Sequence, residues 1–418
     1  MFRRLELALA ACLYYSGIVK LARWWTRQRG QRLVVLCYHR ASGGSLRQHL
    51  LYLRRHYRIL HLEAALNALY EPRKDVLRTS IPKGRWPASP LPSNQLAGQC
   101  MEGRGDAGHR PLGMLALTFD DGYYDNYTEA FAFASELQVP ITLFLVPGYI
   151  ESGSRFWWYE PHHLLHHAQA REATIEGCTY QLSNDDERRA LEQAIEERLR
   201  NATSVNEREA FLAAVREALL APSPVEAEEQ GALPLTWAQV REMEGSGWVS
   251  FDAHTMHHPT LACLANPDEL HYEVSECRAV LEQRLGHPVR AFAYPIGKDE
   301  HIGERGPAAV RSAQYDWALT TMHGINTPQT NPLLLHRIVV DVDQHWLMIA
   351  AKSSGAWDFF RRLCRMPGRE RLQGDRKLNG PLTPVQKIEA AGQREAPGRP
   401  QGSPPPTLTM NAPGEPFP

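Results

Sequence analysis

The chain has 418 residues, 43% of them hydrophobic, and a formal net charge of −1. This length and apolar fraction exclude a disordered polypeptide and fit one barrel of about 250 residues carrying long insertions. The near-zero charge leaves no global field to recruit nucleic acid, so no nucleic-acid partner is expected and partners must be read from local chemistry.

Residues 1–31 open with Arg3-Arg4 and an apolar stretch that runs on into Leu21-Ala22-Arg23-Trp24-Trp25. Leu9-Ala10-Ala11-Cys12 resembles a lipoprotein box, but Glu6 interrupts the short apolar core, which disfavours a cleaved leader. Fewer than about 18 clean apolar residues is short for a membrane span. A basic, tryptophan-rich helix contacting a membrane surface suits residues 1–25 better, with an amphipathic helix packed on the barrel as the alternative. A bacterial-type cytoplasmic or peripheral-membrane location is expected ahead of secretion or lipid anchoring. The seven cysteines are scattered and odd in number, which argues against a disulfide framework or zinc ribbon and fits a reducing compartment.

The barrel is expected over residues 32–345. The apolar run 33–38 predicts a buried strand, 46–53 an amphipathic helix, 59–60 a short strand and 63–69 a helix. From 71 to 113 proline, glycine and charge replace periodicity, which predicts a surface insertion. Residues 126–137 predict a helix and 141–146 a buried strand, the strand-helix-strand order of a parallel barrel. A second insertion, about 153–234, begins with Phe156-Trp157-Trp158-Tyr159 and carries charged amphipathic helices over 185–199 and 206–220, a helical hairpin. Its aromatics are placed either to stack on sugar rings or to pack against the barrel. The barrel resumes over 235–245, with a helix at 267–285 and strands at 289–293, 317–320 and 338–342. Residues 346–366 predict a final helix, and 367–418 are too poor in apolar residues to order themselves.

Candidate chemistry lies where apolar runs end. Thr118-Phe119-Asp120-Asp121-Gly122 closes the run 114–117, and Gly122 permits a turn that aims both carboxylates at one point. Carboxylates forced together imply a cation or a shared proton. The run 247–251 leads into Asp252-Ala253-His254-Thr255-Met256-His257-His258-Pro259, where His254 and His258 would share a face of one helical turn. One Asp and two imidazoles make an open hydrolytic metal site, leaving the second Asp to take a proton from water. Each half alone reads as a solvated turn or a chance histidine cluster; together they point to a site.

With Arg290-Ala291-Phe292-Ala293-Tyr294-Pro295-Ile296-Gly297, these stretches resemble in order the first three motifs of the NodB-type polysaccharide deacetylases, carbohydrate esterase family 4. The resemblance spans roughly residues 32–343. It implies an α/β fold, a distorted (β/α) barrel, and metal-dependent removal of acetyl groups from an N-acetylated glycan. By that resemblance Asp120 is the general base and Asp121, His254 and His258 bind one divalent ion, zinc first, with cobalt, nickel or manganese as alternatives. Arg290 would hold Asp120 ionised, and the Tyr294 backbone amide would meet the oxyanion.

Two histidines compete to protonate the departing amine. His39 ends the strand run in Leu36-Cys37-Tyr38-His39, which resembles a Leu-x-x-His element placed ahead of the Asp-Asp motif in circularly permuted poly-β-1,6-N-acetylglucosamine deacetylases. His336 matches the unpermuted spacing, but an apolar run follows and would bury it in a strand, so His39 is preferred. Asp252 stands where the family has a small residue and is expected to add charge near the ion. Asp316 resembles an aspartate that tunes the acid histidine. His257, by helical phase, should point away from the ion. Two further readings remain open, a catalytically silent glycan-binding barrel and a metallohydrolase of non-sugar amides or esters. Nothing in the sequence indicates the oligomeric state.

Overall fold

The computed structural model describes residues 2–28, 30–70, 113–222 and 233–364. The chain begins with α1 (Phe2–Tyr15) and α2 (Ile18–Gln28), then β1 (Leu33–Tyr38), α3 (Leu46–His56), β2 (Arg58–Ile59), α4 (Leu62–Tyr70) and β3 (Met114–Phe119). A π-helical turn, Asn126–Phe131, enters α5 (Ala132–Leu137), followed by β4 (Ile141–Leu145) and α6 (Pro147–Ser152). The second insertion holds α7 (Glu160–His166), β5 (Glu172–Ile175), β6 (Cys178–Gln181), α8 (Asp185–Arg200) and α9 (Val205–Ala218). Then come α10 (Trp237–Gly245), β7 (Val249–Ala253), α11 (Pro267–Leu285), β8 (Ala291–Ala293), α12 (Asp299–Ile302), α13 (Gly306–Ser312), β9 (Trp317–Leu319), β10 (Ile338–Val339), α14 (Trp346–Ser353) and α15 (Ala356–Cys364).

The main sheet runs β10-β1-β3-β4-β7-β8-β9, all parallel, with β2 beside the start of β3. One segment closes it. Leu335 pairs with Leu319 of β9, and a few residues on Ile338 and Val339 pair with Leu36 and Cys37 of β1. The result is the expected distorted (β/α) barrel, with its seam at residues 335–339.

Strand alternation sorts the two faces. Val34, Leu36, Leu115, Leu117, Leu143 and Phe251 pack outward against the helices. Leu33, Val35, Ala116, Phe144 and Leu319 point inward, where Leu62, Ala65, Leu66 and Leu69 of α4 fill the barrel beside the strand starts Leu33 and Trp317. With that end plugged, the open rim lies at the strands' C-terminal ends.

The second insertion has its own apolar cluster, including Phe156, Trp157, Leu191, Ile195, Leu212 and Val215. It contains the expected helix pair, and also an antiparallel hairpin, β5–β6, whose short half-exposed strands carried no clear alternation in the sequence. Both terminal helices expected as single elements are broken, at Gly17 and at Gly355. The insertion expected over 71–113 falls, but for Gly113, outside the described residues, as does the tail 367–418.

Candidate active site

Asp120 continues the ladder, its N–H donating to Tyr38 O at 2.9 Å, and the next two residues then turn sharply, with φ of 76° at Asp121 and 75° at Gly122. A Cβ at position 122 would lie 2.7 Å from Leu145 Cδ2, so this corner needs glycine for space as well as for conformation. The turn directs both carboxylates to the rim, and both are buried.

Asp121, His254 and His258 bring their ligand atoms within 4.8 Å of one another. Asp121 Oδ1 lies 3.3 Å from His254 Nε2 and 3.6 Å from His258 Nε2, yet among the described residues it accepts no hydrogen bond although buried. Ligands on bonds of about 2.0–2.1 Å around a tetrahedral ion stand about 3.4 Å apart, so the three residues fit a divalent cation. His254 Nδ1–H donates to Ala293 O at 2.7 Å, which turns the Nε2 lone pair toward Asp121. Burial opposes ionisation of Asp121, but the His254, His258 and His39 imidazoles outweigh it and hold its pKa below the ordinary value.

The histidines do not sit on a helix. Residues 254–260 form a loop in which Thr255 and His258 have φ of 66° and 55°, and the His258 N–H donates to Thr255 Oγ1 at 2.9 Å. That turn, rather than helical phase, brings the imidazoles together. His257 points away, as expected. Glu273 takes its N–H at 2.8 Å and its Nδ1–H at 2.7 Å. The loop also passes so close to Gly148 that a Cβ there would stand 2.4 Å from Met256 O.

Asp120 is gripped by Arg337, not by Arg290. The Arg337 guanidinium donates to Asp120 Oδ1 at 2.6 Å and Oδ2 at 2.7 Å, to Thr320 O at 2.9 Å and to Thr118 Oγ1 at 3.3 Å, and it lies over the Phe144 ring. Its side chain has 0% exposure. Burial would raise the Asp120 pKa, but Arg337, with His254 and His39, holds it well below the usual carboxylate range. The Cys37 thiol donates to Asp120 Oδ2 at 3.4 Å.

Arg290, 46% exposed, pairs with Glu63 and Asp316, both at 2.9 Å. The reason is positional. Arg290 and Asp316 precede β8 and β9, and the start of a barrel strand is the end opposite the rim. Asp316 therefore tunes no histidine. Asp252 is turned elsewhere: its Oδ1 accepts the Ala291 N–H at 2.9 Å, and burial pushes its pKa up to about 7. The Tyr294 amide is likewise unavailable to an oxyanion, because it donates to Leu319 O at 3.0 Å while the buried hydroxyl donates to Leu333 O. Pro295 has no N–H, so the next donor is Ile296, whose amide makes no hydrogen bond among the described residues and whose φ is 60°.

His39 is at the rim, half-buried, with its ring nitrogen within 4.8 Å of Cys37 and Asp120 ligand atoms. Its carbonyl accepts from Asn126 Nδ2 at 3.0 Å, and Asp125 holds the next turn through Arg40, Ala41 and Ser42. His336 lies elsewhere. One residue before Arg337, its backbone pairs with the Asn326 side chain and its ring packs on Gly324.

Sequence reasoning missed Arg337, whose one signal was a charge inside the apolar run Leu333-Leu334-Leu335-His336-Arg337-Ile338-Val339-Val340. It also missed two anchors from the second insertion. The Trp157 indole N–H donates to His258 O at 3.0 Å, and the buried Arg208 of α9 donates to His257 O at 3.0 Å. The Trp158 ring packs against His258, with centroids 4.4 Å apart and planes tilted by 51°.

The fold is similar to IcaB from Ammonifex degensii, at 19% identity and a TM-score of 0.45, covering 78% of this chain and 98% of that one. It is also similar to the Streptococcus pyogenes deacetylase PplD (17%, 0.45, 77% and 98%) and to the BpsB deacetylase domain from Bordetella bronchiseptica (15%, 0.40, 74% and 96%). A search of curated proteins returned no match. The family model for polysaccharide deacetylase matches residues 107–316, which takes in both carboxylates and both histidines but stops short of His39 and Arg337. On this match, across half its length, the chain belongs to the polysaccharide deacetylase family and is a deacetylase hydrolase.

Proposed function

We propose that the enzyme removes N-acetyl groups from N-acetylhexosamine units of a polysaccharide or envelope glycan, using one divalent ion held by Asp121, His254 and His258. The observation that carries the reading is the buried, unsatisfied Asp121 Oδ1 facing two imidazoles beside a carboxylate that a buried arginine keeps ionised. When bound, the ion supplies Lewis acidity to the amide carbonyl and to the attacking water.

The chain's own groups do the rest. Arg337 fixes both oxygens of Asp120, so the carboxylate stays charged and aimed at the rim, where it accepts a proton from water. His39, adjacent to Asp120, delivers a proton to the departing amine. The Ile296 N–H, unpaired among the described residues and two residues beyond Tyr294, is the candidate donor to the developing oxyanion. Trp158, beside His258, gives a sugar ring an apolar plane at the mouth.

The test is acetate release from chitooligosaccharide and from β-1,6-linked poly-N-acetylglucosamine, with chelator-treated protein before and after addition of zinc, cobalt, nickel or manganese. Release from one of these glycans only with metal is expected. His254→Ala should abolish metal uptake measured by elemental analysis, whereas His39→Ala should lower kcat about 10²-fold or more and leave metal content unchanged. Release from small esters but from no N-acetyl sugar would overturn the proposal, as would metal binding without any acetate.

A further inference from the structure

We propose that α2, with α15 beside it, is a docking face that lies flat on an anionic lipid bilayer. Among the described residues eleven large apolar side chains are exposed, and six of them, Leu5, Tyr15, Ile18, Leu21, Trp24 and Trp25, fall on or between the ends of the first two helices. Scattered exposed apolar residues need no explanation, but a cluster on one face does.

The face is ordered by helical spacing. Val19, Ala22 and Thr26 recur at three and four residues and turn toward the protein, where Val19 is 1% exposed and the Thr26 hydroxyl reaches Ser354 O. Ile18, Leu21 and Trp25 recur on the far side, with Trp24 adjacent, and Leu21, Trp24 and Trp25 are 60%, 48% and 52% exposed. Lys20 and Arg23 lie between the two faces, at the height where phosphate headgroups meet water. Packed against α2, α15 adds Phe359, 67% exposed, and an exposed Arg361.

The helices are also firmly seated. Tyr14 of α1 packs on Tyr52 and Trp346, and Arg23 Nη1 donates to Tyr52 OH at 3.1 Å. The outward face is thus presented by a fixed platform. No single helix among the described residues is long and apolar enough to cross a membrane, and α1 and α2 meet at a 69° bend. An in-plane contact suits that geometry, and tryptophan flanked by lysine and arginine matches an interface with anionic headgroups.

The experiment is co-sedimentation of the full chain with vesicles of phosphatidylcholine alone and of phosphatidylcholine with phosphatidylglycerol. Wild type should sediment with the anionic vesicles. Trp24→Glu/Trp25→Glu should reduce partitioning at least about tenfold, Leu21→Glu alone several-fold, and Lys20→Ala about fivefold. Leu220→Glu, at an exposed position on the second insertion, should change nothing. Acetate release from a soluble oligosaccharide serves as the folding check. Unchanged sedimentation of the tryptophan variant would overturn the proposal. So would a lipid-free oligomer that the same variant dissolves without altering vesicle binding, because the face would then be a contact between copies.

Discussion

Replacing Arg337 by methionine tests whether this buried guanidinium, rather than Arg290, sets the state of Asp120. The substitution keeps most of the volume and removes both bonds to the carboxylate, leaving Asp120 buried at 1% exposure with, among the described residues, only the Cys37 thiol as a donor. Breaking a buried ion pair from one side destabilises by about 3–5 kcal/mol, because the remaining charge is uncompensated. Replacing both charges by apolar side chains does not: Asp120→Leu/Arg337→Met should return to within about 1 kcal/mol of wild type or exceed it. Arg290→Met, at an exposed pair, should shift stability by no more than about 1 kcal/mol. The assay is denaturant unfolding of chelator-treated protein, so that ion binding to the folded state does not add to the result. Acetate release should fall in both Arg337 variants and survive in Arg290→Met. A double variant as unstable as Arg337→Met, or activity that follows Arg290 instead, would refute the reasoning.

Two further outcomes follow from other buried groups. Arg208→Met and Trp157→Phe each remove a donor from a carbonyl of the histidine loop, so metal affinity measured by competition with a chromophoric chelator should weaken about 10–100-fold while far-UV circular dichroism stays unchanged. His49 is buried with Nε2–H bonded to Gln344 O at 2.6 Å, and burial lowers its pKa from 6.5 to about 4. The folded state therefore keeps His49 neutral while the unfolded state takes up a proton below pH 6.5, so its contribution is fully present above that pH and is lost as pH falls toward 4. That difference corresponds to about 3 kcal/mol, and His49→Gln should flatten the stability profile across this window by one proton.

Asp120, Asp121 and His254 were legible because they end apolar runs, and a parallel barrel brings the C-terminal ends of its strands to one rim, whereas His258 was picked by a helical spacing that the loop replaces. Asp120 and Asp121 follow β3, and His254 follows β7. The same rule would have removed Arg290 and Asp316, which stand before their strands. It would also have questioned Tyr294, whose amide still belongs to the ladder with β9. The seam was not legible. Nothing in a linear pattern shows that residues 335–339 touch β9 at one end and β1 at the other, and only that crossing turns Arg337 inward between Thr320 and Asp120. Arg208 gave no signal at all, since an arginine on a charged amphipathic helix reads as solvated.

The second insertion and the strained loop belong to one device. Asp121, Thr255 and His258 all hold positive φ without being glycine, at about 1 kcal/mol or more each, and strain of that kind persists only where surrounding contacts over-determine it. Those contacts come from opposite sides. Ala293 takes the His254 Nδ1–H from the barrel, and Glu273 of α11 takes the His257 N–H. Arg208 and Trp157 approach from the insertion and satisfy the carbonyls of His257 and His258. With its backbone tied in this way, the loop has little conformational freedom left to lose, which would favour tight binding of the proposed ion. An insertion that only covered the cleft would have no need to bury an arginine against the backbone of the histidine loop.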